Sequence, residues 1–390
     1  MINFEFATVS KILFGRGKIA QLGEIARTLG TSVLMIHNGD DPGTGGPVDR
    51  AVTSLNAANI KVHFKRQRGE PTIADVDTAL AVARENQCDL LIGLGGGSAI
   101  DTAKATAGLM TNGGQCLDYM EVIGKGRKIS KPAMPWIAVP TTAGTGAEVT
   151  KNAVIGSPAH KFKASIRSEH LLARVAMVDA ELHVGTPPEV TAASGMDAIC
   201  QLIESLTSTG ATPVTDALVE AGVGRAMYNL RDAFVNGNDI DAREEMALAA
   251  TLRGITLTNA GLGAVHGFAA PLGAHFPIPH GVICARLLPL IVEANILALH
   301  QVSRSHAVLA KYADMDLWIP WSKELSGKCI LVSYLNNLVT QLRIPPLSEF
   351  GLREEHVSQI VLLARKTSSM KYNPVVLADD VLANILRSAL

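Results

Sequence analysis

The sequence predicts an N-terminal doubly wound α/β sheet domain followed by an all-helical C-terminal domain. The chain has 390 residues, which exceeds the usual size of a single-core domain. Short β-rich apolar runs alternate with helical patterns in its first half, as in parallel sheets with crossover helices. Helical periodicity dominates the second half. We therefore expect domains at 1–185 and 186–390, with a ligand in the cleft between them.

Each predicted element has a local signal. Apolar runs predict strands at 33–37, 90–94, 136–140 and 175–179, and an amphipathic pattern predicts a helix at 72–86. Beyond Pro187 and Pro188, Ala- and Leu-rich segments predict helices at 188–206, 215–229 and 242–260. Proline is favoured in the first turn of a helix, so the domain boundary is expected at 182–188.

Composition narrows the class of partner. The 35 basic and 36 acidic residues are scattered and leave a net charge of -1, which does not favour nucleic acid or an anionic membrane. The five cysteines are far apart and form no C-x-x-C pair, as expected for reduced thiols in the cytoplasm. No signal peptide or long uninterrupted apolar run is evident. We expect a cytoplasmic protein that acts on a small molecule.

A glycine-rich turn follows the second buried strand. Gly95, Gly96, Gly97 and Ser98 stand between LLIGL and the helical pattern AIDTAKATAGL. Glycine lets backbone amides approach a ligand, and the start of the following helix attracts anions, so a pyrophosphate is the expected guest. The turn lacks the G-x-G-x-x-G pattern, and chain geometry alone is the competing explanation.

A second loop supports a dinucleotide. Thr141, Thr142 and Thr145 lie between Pro140 and Gly146, directly after the strand WIAV. Hydroxyls beside glycines at a strand end suit phosphate or ribose, although a threonine-capped turn would look the same. Two such loops after consecutive strands favour a nucleotide-binding, Rossmann-like domain.

The helical half contains a metal-like constellation. Asp197 and Gln201 are four residues apart and share a helix face. His266 and His280 are separated by four turn-forming residues, Pro271, Gly273, Pro277 and Pro279. That spacing predicts a helix end, a loop and a new helix start that bring both imidazoles together. One carboxylate and two histidines suit a catalytic divalent metal, the alternative being unrelated polar residues at helix ends, as we interpret His275.

Several motifs occur in an order typical of one family. They are FGRGKIAQL near the N-terminus, GGGSAIDTAK at 95–104, PTTAGTGAEVT at 140–150, VAMVDAEL at 175–182, SGMDA at 194–198, VHGFAAPLG at 265–273, PHG at 279–281 and SSMKYNP at 368–374. With these motifs the chain resembles the iron-containing, or group III, alcohol dehydrogenases, relatives of glycerol dehydrogenase and dehydroquinate synthase. The resemblance implies a dehydroquinate synthase-like fold, a homodimer, and NAD(P)-dependent interconversion of a small alcohol and its aldehyde or ketone.

The resemblance also assigns residues. It matches Gly96, Gly97, Ser98 and Asp101 to the pyrophosphate loop and the three threonines to the nucleotide. It matches Lys163, with Lys161 as a neighbour easily mistaken for it, to a lysine that reaches the cofactor ribose. Asp197, His266 and His280 match three of the family's metal ligands.

Two positions depart from the family pattern. The fourth ligand is typically histidine and here is Gln201, and a further histidine is replaced by Ala270. A neutral amide oxygen is a poorer ligand than imidazole for Fe(II), so Zn(II) becomes an alternative and a metal-free protein remains open. Without a histidine at 270, no general base is assigned.

The cofactor and the reaction each leave alternatives. Asn38 directly follows the strand predicted at 33–37, with Asp40 and Asp41 beyond it and no adjacent arginine or lysine, which favours NAD over NADP unless Asn38 is only a turn residue. The competing functions are a metal-independent reductase of a keto acid or aldehyde, similar to maleylacetate reductase, an NAD-using lyase of the dehydroquinate synthase type, and a non-catalytic nucleotide-binding protein. The lyase hypothesis predicts many basic residues around the metal, and the sequence near Asp197 and His266 has few.

Overall fold

The chain forms two compact units. The computed structural model describes residues 3–39, 42–121, 123–160, 162–302, 305–319 and 329–390. One unit is Phe6–Thr186, and the other is Pro187–Leu390 together with the N-terminal residues up to Glu5. The second unit begins with a helix that has Pro188 in its first turn, where the missing amide of proline costs no hydrogen bond.

The described residues of the first unit form a six-stranded parallel sheet, an antiparallel hairpin and five α-helices. Across the sheet the strand order is β1-β8-β5-β4-β2-β3, and β6 pairs with β7 in the hairpin. The strands are β1 Ile12–Phe14, β2 Ser32–His37, β3 Lys61–Arg66, β4 Leu90–Gly95, β5 Trp136–Pro140, β6 Asn152–Ser157, β7 Phe162–Arg167 and β8 Val175–Val178. The helices are α1 Leu22–Arg27, α2 Pro47–Ala57, α3 Ile73–Glu85, α4 Gly97–Asn112 and α5 Cys116–Tyr119.

The order of strands reverses beside β2. From β2 the chain moves to β3 on one side and then to β4 on the other. In doubly wound sheets such a switch point opens a crevice at the carboxyl ends of the strands, where ligands bind. His37 at the end of β2 pairs with Leu94 near the end of β4, so the residues that follow these two strands are neighbours.

The predicted strands and helix are confirmed where the apolar signal was continuous. β2 and β4 are buried, as expected for central parallel strands, and α3 is capped by Thr72. The last predicted strand ends at Val178, because the Asp179 carboxylate accepts hydrogen bonds from the amides of Gly17, Ile19 and Glu181. The sequence did not predict β1, β3, β6 or β7, which are short or partly exposed.

Helices are the only regular elements among the described residues of the second unit. Its helices are α6 Pro188–Thr207, α7 Pro213–Val235, α8 Ile240–Ala260, α9 Ala264–His275, α10 His280–Leu299, α11 His306–Met315, α12 Ile330–Gln341, α13 Val357–Ala364 and α14 Asp379–Ser388. The three helices expected at 188–206, 215–229 and 242–260 are confirmed as α6, α7 and α8. Of the described helices, α10 alone is long and apolar enough to cross a membrane, a test that core helices also pass, and 61% of its apolar window is buried.

The turn expected between His266 and His280 is shorter than predicted. Pro271 and Gly273 lie inside α9, so the prediction that they form a turn is wrong. The helix accommodates Pro271 more than one turn after its start, and only residues 276–279 form the connection to α10. The predicted sequence of helix end, loop and new helix start is nevertheless present.

Candidate coenzyme turn and metal centre

The glycine turn lies at the switch point of the sheet. Gly95 ends β4, and α4 begins at Gly97. The side-chain oxygen of Asn38, the residue after β2, accepts a hydrogen bond of 3.0 Å from the amide of Gly96. Asn38 therefore joins the two strand ends on which a dinucleotide would lie.

Gly95 occupies a position that only glycine fits. Its φ of +149° is rarely adopted by residues with a side chain, and an added Cβ would lie 1.8 Å from the Asn38 side-chain oxygen. Gly96 and Gly97 are followed by Ser98 in the first turn of α4, and all three are only partly buried. The first amides of a helix have no partner within the helix, so they are available to an anion.

The threonine loop lies against the glycine turn. The amide of Thr141 donates to the Gly95 carbonyl at 3.0 Å. A Cβ on Gly96 would lie 3.3 Å from the Thr142 hydroxyl oxygen, and a Cβ on Gly97 would lie 2.8 Å from Thr145. The two loops predicted separately from sequence thus form one partly exposed surface of glycines and hydroxyls.

Asp101 is bound by other residues of the protein. The Asp101 carboxylate contacts Lys104 at 3.4 Å and accepts the amide of Val154 at 2.9 Å. Lys104 is fully buried and also donates to two backbone carbonyls and to Thr150, which gives this motif lysine a structural role.

The other coenzyme residues named from sequence are distributed as follows. Lys163, on β7, forms an ion pair with Glu70 at 3.2 Å. Asp40, Asp41 and Lys161 lie outside the described residues.

The predicted metal residues converge within the helical unit. Asp197 is in the middle of α6, His266 is in the first turn of α9 and His280 is the first residue of α10. Oδ1 of Asp197 lies 3.3 Å from Nε2 of His266 and 3.6 Å from Nε2 of His280. Asp197 and His266 are buried, and the side chain of His280 is 39% exposed. The site is therefore enclosed on the Asp197 side and open to solvent at His280.

Gln201 faces the same cluster. Its Nε2 donates to Oδ1 of Asp197 at 3.0 Å. Its Oε1 is buried and has no hydrogen-bond partner among the described residues. A buried amide oxygen without a partner is costly unless a further group satisfies it. The orphaned oxygen, with the neighbouring carboxylate and imidazoles, fits a divalent cation.

Three further side chains complete the cluster. Glu204, in the last turns of α6, accepts from Nδ1 of His266 at 2.6 Å and from the amide of Val265 at 2.7 Å. Arg253 of α8 contacts Oδ2 of Asp197 at 2.6 Å. Cys284, one turn after His280 in α10, has its sulfur 3.7 Å from Nε2 of His266 and of His280.

Sequence reasoning missed these three residues to different degrees. Glu204 and Cys284 each follow a predicted ligand at helical spacing, three residues after Gln201 and four after His280, so their placement could have been found. Arg253 has no such signal, because it lies 56 residues from Asp197 on another helix. Few basic residues lie near Asp197 in the sequence, so nothing in the sequence indicated that an arginine lies beside it in the structure.

Charges within the cluster stabilise one another. Burial alone raises the pKa of Asp197, but Arg253 and then His280 outweigh it and hold that pKa well below its usual range. Burial also opposes charge on the histidines, yet Cys284 is the main cause that raises the pKa of both. Burial likewise disfavours the Cys284 thiolate, but Cys200, His280 and His266 lower its pKa. The cluster therefore favours an ionised carboxylate and a thiolate.

The ligand atoms are close enough to share one ion. One atom from each of Asp197, His266, His280 and Cys284 lies within 4.8 Å of the others. Together with the glycine turn, this cluster is typical of one class: dinucleotide-binding proteins with a metal centre in a helical unit. The chain belongs to the iron-containing alcohol dehydrogenase family. The family model for iron-containing alcohol dehydrogenase matches residues 9–180. A second family model, described as "Fe-containing alcohol dehydrogenase family, C-terminal", matches residues 191–390.

Known proteins of this family are similar over the full chain. Alcohol dehydrogenase 4 of Schizosaccharomyces pombe is 34% identical over 97% of this chain and 87% of its own. NAD-dependent methanol dehydrogenase of Bacillus methanolicus is 31% identical over 100% of both chains. A crystal structure of 1,3-propanediol oxidoreductase superposes with a TM-score of 0.90 at 31% identity, covering 100% of both chains.

Family membership gives the fold and the reaction class. The fold is the dehydroquinate synthase-like combination of an α/β and a helical unit, as the resemblance implied. The protein is an NAD(P)-dependent oxidoreductase that interconverts an alcohol and its aldehyde or ketone, and its family uses a divalent metal.

Proposed function

We propose that the substrate is a short alcohol and that the divalent metal is held by Asp197, His266 and His280. The convergence of these three side chains from three helices on one site is the observation that carries the proposal. Relatives named for methanol and 1,3-propanediol support a short substrate. Gly96, Gly97 and Ser98 would bind the coenzyme pyrophosphate, with Thr141, Thr142 and Thr145 beside it.

The chain's own residues prepare the metal centre. The coenzyme supplies hydride transfer, and a bound divalent metal supplies a Lewis acid at the substrate oxygen. Because a carboxylate oxygen can only accept, Glu204 holds the proton of His266 on Nδ1 and leaves Nε2 facing the cluster. Arg253 engages Oδ2 of Asp197, which leaves Oδ1 toward the two histidines.

Chelation separates the metal-dependent dehydrogenase from the metal-independent reductase. Purified protein is assayed with short alcohols and aldehydes by NADH absorbance before chelation, after it, and after zinc or iron is restored. We expect activity to be lost on chelation and regained with metal. The exposed His275 in α9 offers a matched control: His280→Ala should abolish the regained activity, and His275→Ala should retain it. Turnover that survives chelation would reject the metal role.

Coenzyme choice and the lyase alternative have separate readouts. We propose NAD rather than NADP, because no arginine or lysine is adjacent to Asn38 in the sequence. Against the lyase, Arg253 is already paired with Asp197 and is not free to bind a phosphorylated acid. A lower KM for NADP than for NAD would contradict the proposed preference for NAD. Elimination of phosphate from a substrate without net oxidation or reduction would contradict the argument against the lyase.

We also propose a cytoplasmic homodimer with neither nucleic-acid nor membrane partners. The five cysteines are free, as reduced compartments require. The near-neutral net charge of -1 supports a small-molecule partner. Light scattering of the purified protein tests the assembly, since a monomeric mass would reject the dimer.

A further inference from the structure

Cys284 lies against the predicted ligands of the metal centre. It is fully buried, and its sulfur is equidistant, at 3.7 Å, from the Nε2 atoms of His266 and His280. His280 and Cys284 are four residues apart in α10, so their side chains lie on one face of the helix. A thiol that only filled core volume would have no reason to contact both imidazole nitrogens that face the site.

The separations between ligand atoms match a tetrahedral zinc site. Zinc bonds of about 2.0–2.1 Å to nitrogen or oxygen and about 2.3 Å to sulfur place N and O ligands about 3.4 Å apart, and S and N ligands about 3.6 Å apart. The observed distances from Oδ1 of Asp197 to the two Nε2 atoms are 3.3 and 3.6 Å. The two sulfur–nitrogen distances are both 3.7 Å. Four of the six separations among these donor atoms are therefore close to zinc-ligand spacing, and all six are within 4.8 Å.

Charge balance supports a thiolate in this position. Asp197, Glu204 and a Cys284 thiolate would contribute three negative charges around the site, and Arg253 contributes one positive charge. Histidines that bind a metal are neutral, so a divalent cation in place of their protons makes the buried group neutral, which limits the desolvation cost of the charges. Gln201 does not replace the thiolate in this balance, because its side-chain oxygen is a neutral amide oxygen and carries no charge.

We infer that Cys284 coordinates the metal and makes this a thiolate-bearing site that prefers Zn(II) to Fe(II). Thiolate is a soft ligand that favours zinc, and the thiol proton is released to solvent when the metal binds. This inference rests on the proposed function, which supplies the metal centre. It adds which metal that centre prefers. Because catalytic zinc can expand beyond four ligands, a metal held by these four side chains would still be able to supply a Lewis acid at the substrate oxygen.

Cobalt(II) substitution tests the thiolate without relying on activity. Metal-free protein is titrated with Co(II), and the near-ultraviolet sulfur-to-cobalt charge-transfer band is recorded beside the visible d–d bands. We expect the charge-transfer band in the wild type and its loss in Cys284→Ser, with the d–d bands retained. Cys200→Ser and Cys116→Ser, at buried thiols near the site and in the other unit, should keep the band.

Zinc affinity gives a second, independent readout. Losing a group that only supports a metal ligand costs about 10–100-fold in affinity, so Cys284→Ser should weaken zinc at least about 100-fold. The loss for iron(II) should be smaller. Circular dichroism of Cys284→Ser and Cys284→Ala verifies folding, and if serine prevents folding the alanine variant carries the comparison.

The outcomes separate the ligand from the enzyme. A band that persists in Cys284→Ser, or that disappears in Cys200→Ser, would overturn the assignment of Cys284. Cobalt bound with d–d bands but no charge-transfer band in the wild type would also overturn it, and metal-dependent turnover would then leave the proposed function intact. Failure of the wild type to bind any divalent metal would reject both.

Discussion

Arg253 fixes which oxygen of Asp197 faces the metal centre. The guanidinium is buried and takes one carboxylate oxygen, while the other faces the two histidines and Gln201. An arginine in this position fixes the carboxylate orientation and supplies positive charge when metal is absent. The same residue thus links the stability of the apo protein to the geometry of the metal centre.

Arg253→Met tests this link. Removing one partner of a buried ion pair leaves the other charge uncompensated and costs about 3–5 kcal/mol. We expect metal-free Arg253→Met to melt well below the wild type and to recover part of the difference when zinc is added, because the cation then neutralises Asp197. Differential scanning calorimetry measures both effects.

Arg225 provides the matched control. It forms an exposed ion pair with Glu245, and exposed pairs contribute at most about 1 kcal/mol. Arg225→Met should therefore melt close to the wild type with or without zinc. Equal stability of the Arg253 and Arg225 variants would contradict a structural role for the buried pair.

At the scale of elements, the turn between β4 and α4 depends on one backbone conformation. Gly95 combines a φ of +149° with an approach so close that an added Cβ would lie 1.8 Å from Asn38. Gly95→Ala must move either the turn or Asn38, and both carry the proposed coenzyme surface. We expect loss of measurable NAD binding by calorimetric titration together with lower thermal stability.

Gly126→Ala distinguishes local crowding from a general glycine effect. Gly126 also has a positive φ, +60°, but no atom lies within 4 Å of its added Cβ. We expect this variant to bind NAD like the wild type. Normal NAD affinity in Gly95→Ala would show that the turn does not hold the coenzyme.

At the scale of the whole molecule, the two candidate sites belong to different compact units. The glycine turn lies within Phe6–Thr186, and the metal centre lies within the helical unit that begins at Pro187. Each unit has its own set of buried side chains, so each ligand should stabilise first the unit that binds it. Hydrogen exchange resolves the two contributions along the chain.

We expect zinc and NAD to protect different amides. A ligand at 100 times its Kd stabilises the binding state by about 2.7 kcal/mol, which slows exchange through opening of that state about 100-fold. Zinc should protect α6, α9 and α10, and NAD should protect β4 and α4. Mass-spectrometric exchange with each ligand alone checks this. Protection of the α/β unit by zinc alone would contradict the assignment of the metal to the helical unit.

An element could be predicted from the sequence when its signal came from neighbouring residues. Central strands and long helices were predicted because they carry continuous apolar runs or a helical period. Edge strand β3 and the hairpin β6–β7 were missed, since they lack a continuous buried apolar run: β3 and β7 are mostly exposed or partly exposed, and β6 alternates partly buried and buried residues. Pro271 was misread as a turn residue because local propensity disfavours proline in helices, whereas α9 tolerates it.

The sequence alone determined the two-part organisation, the glycine and threonine loops, and the roles expected of Asp197, His266 and His280. These follow from periodicity and motifs, which are properties of neighbouring residues. Only the tertiary structure decided that Arg253 pairs with Asp197 and that the sulfur of Cys284 lies between two imidazoles. Such contacts arise from the packing of α6, α8, α9 and α10, and helix packing depends on side chains far apart in the chain.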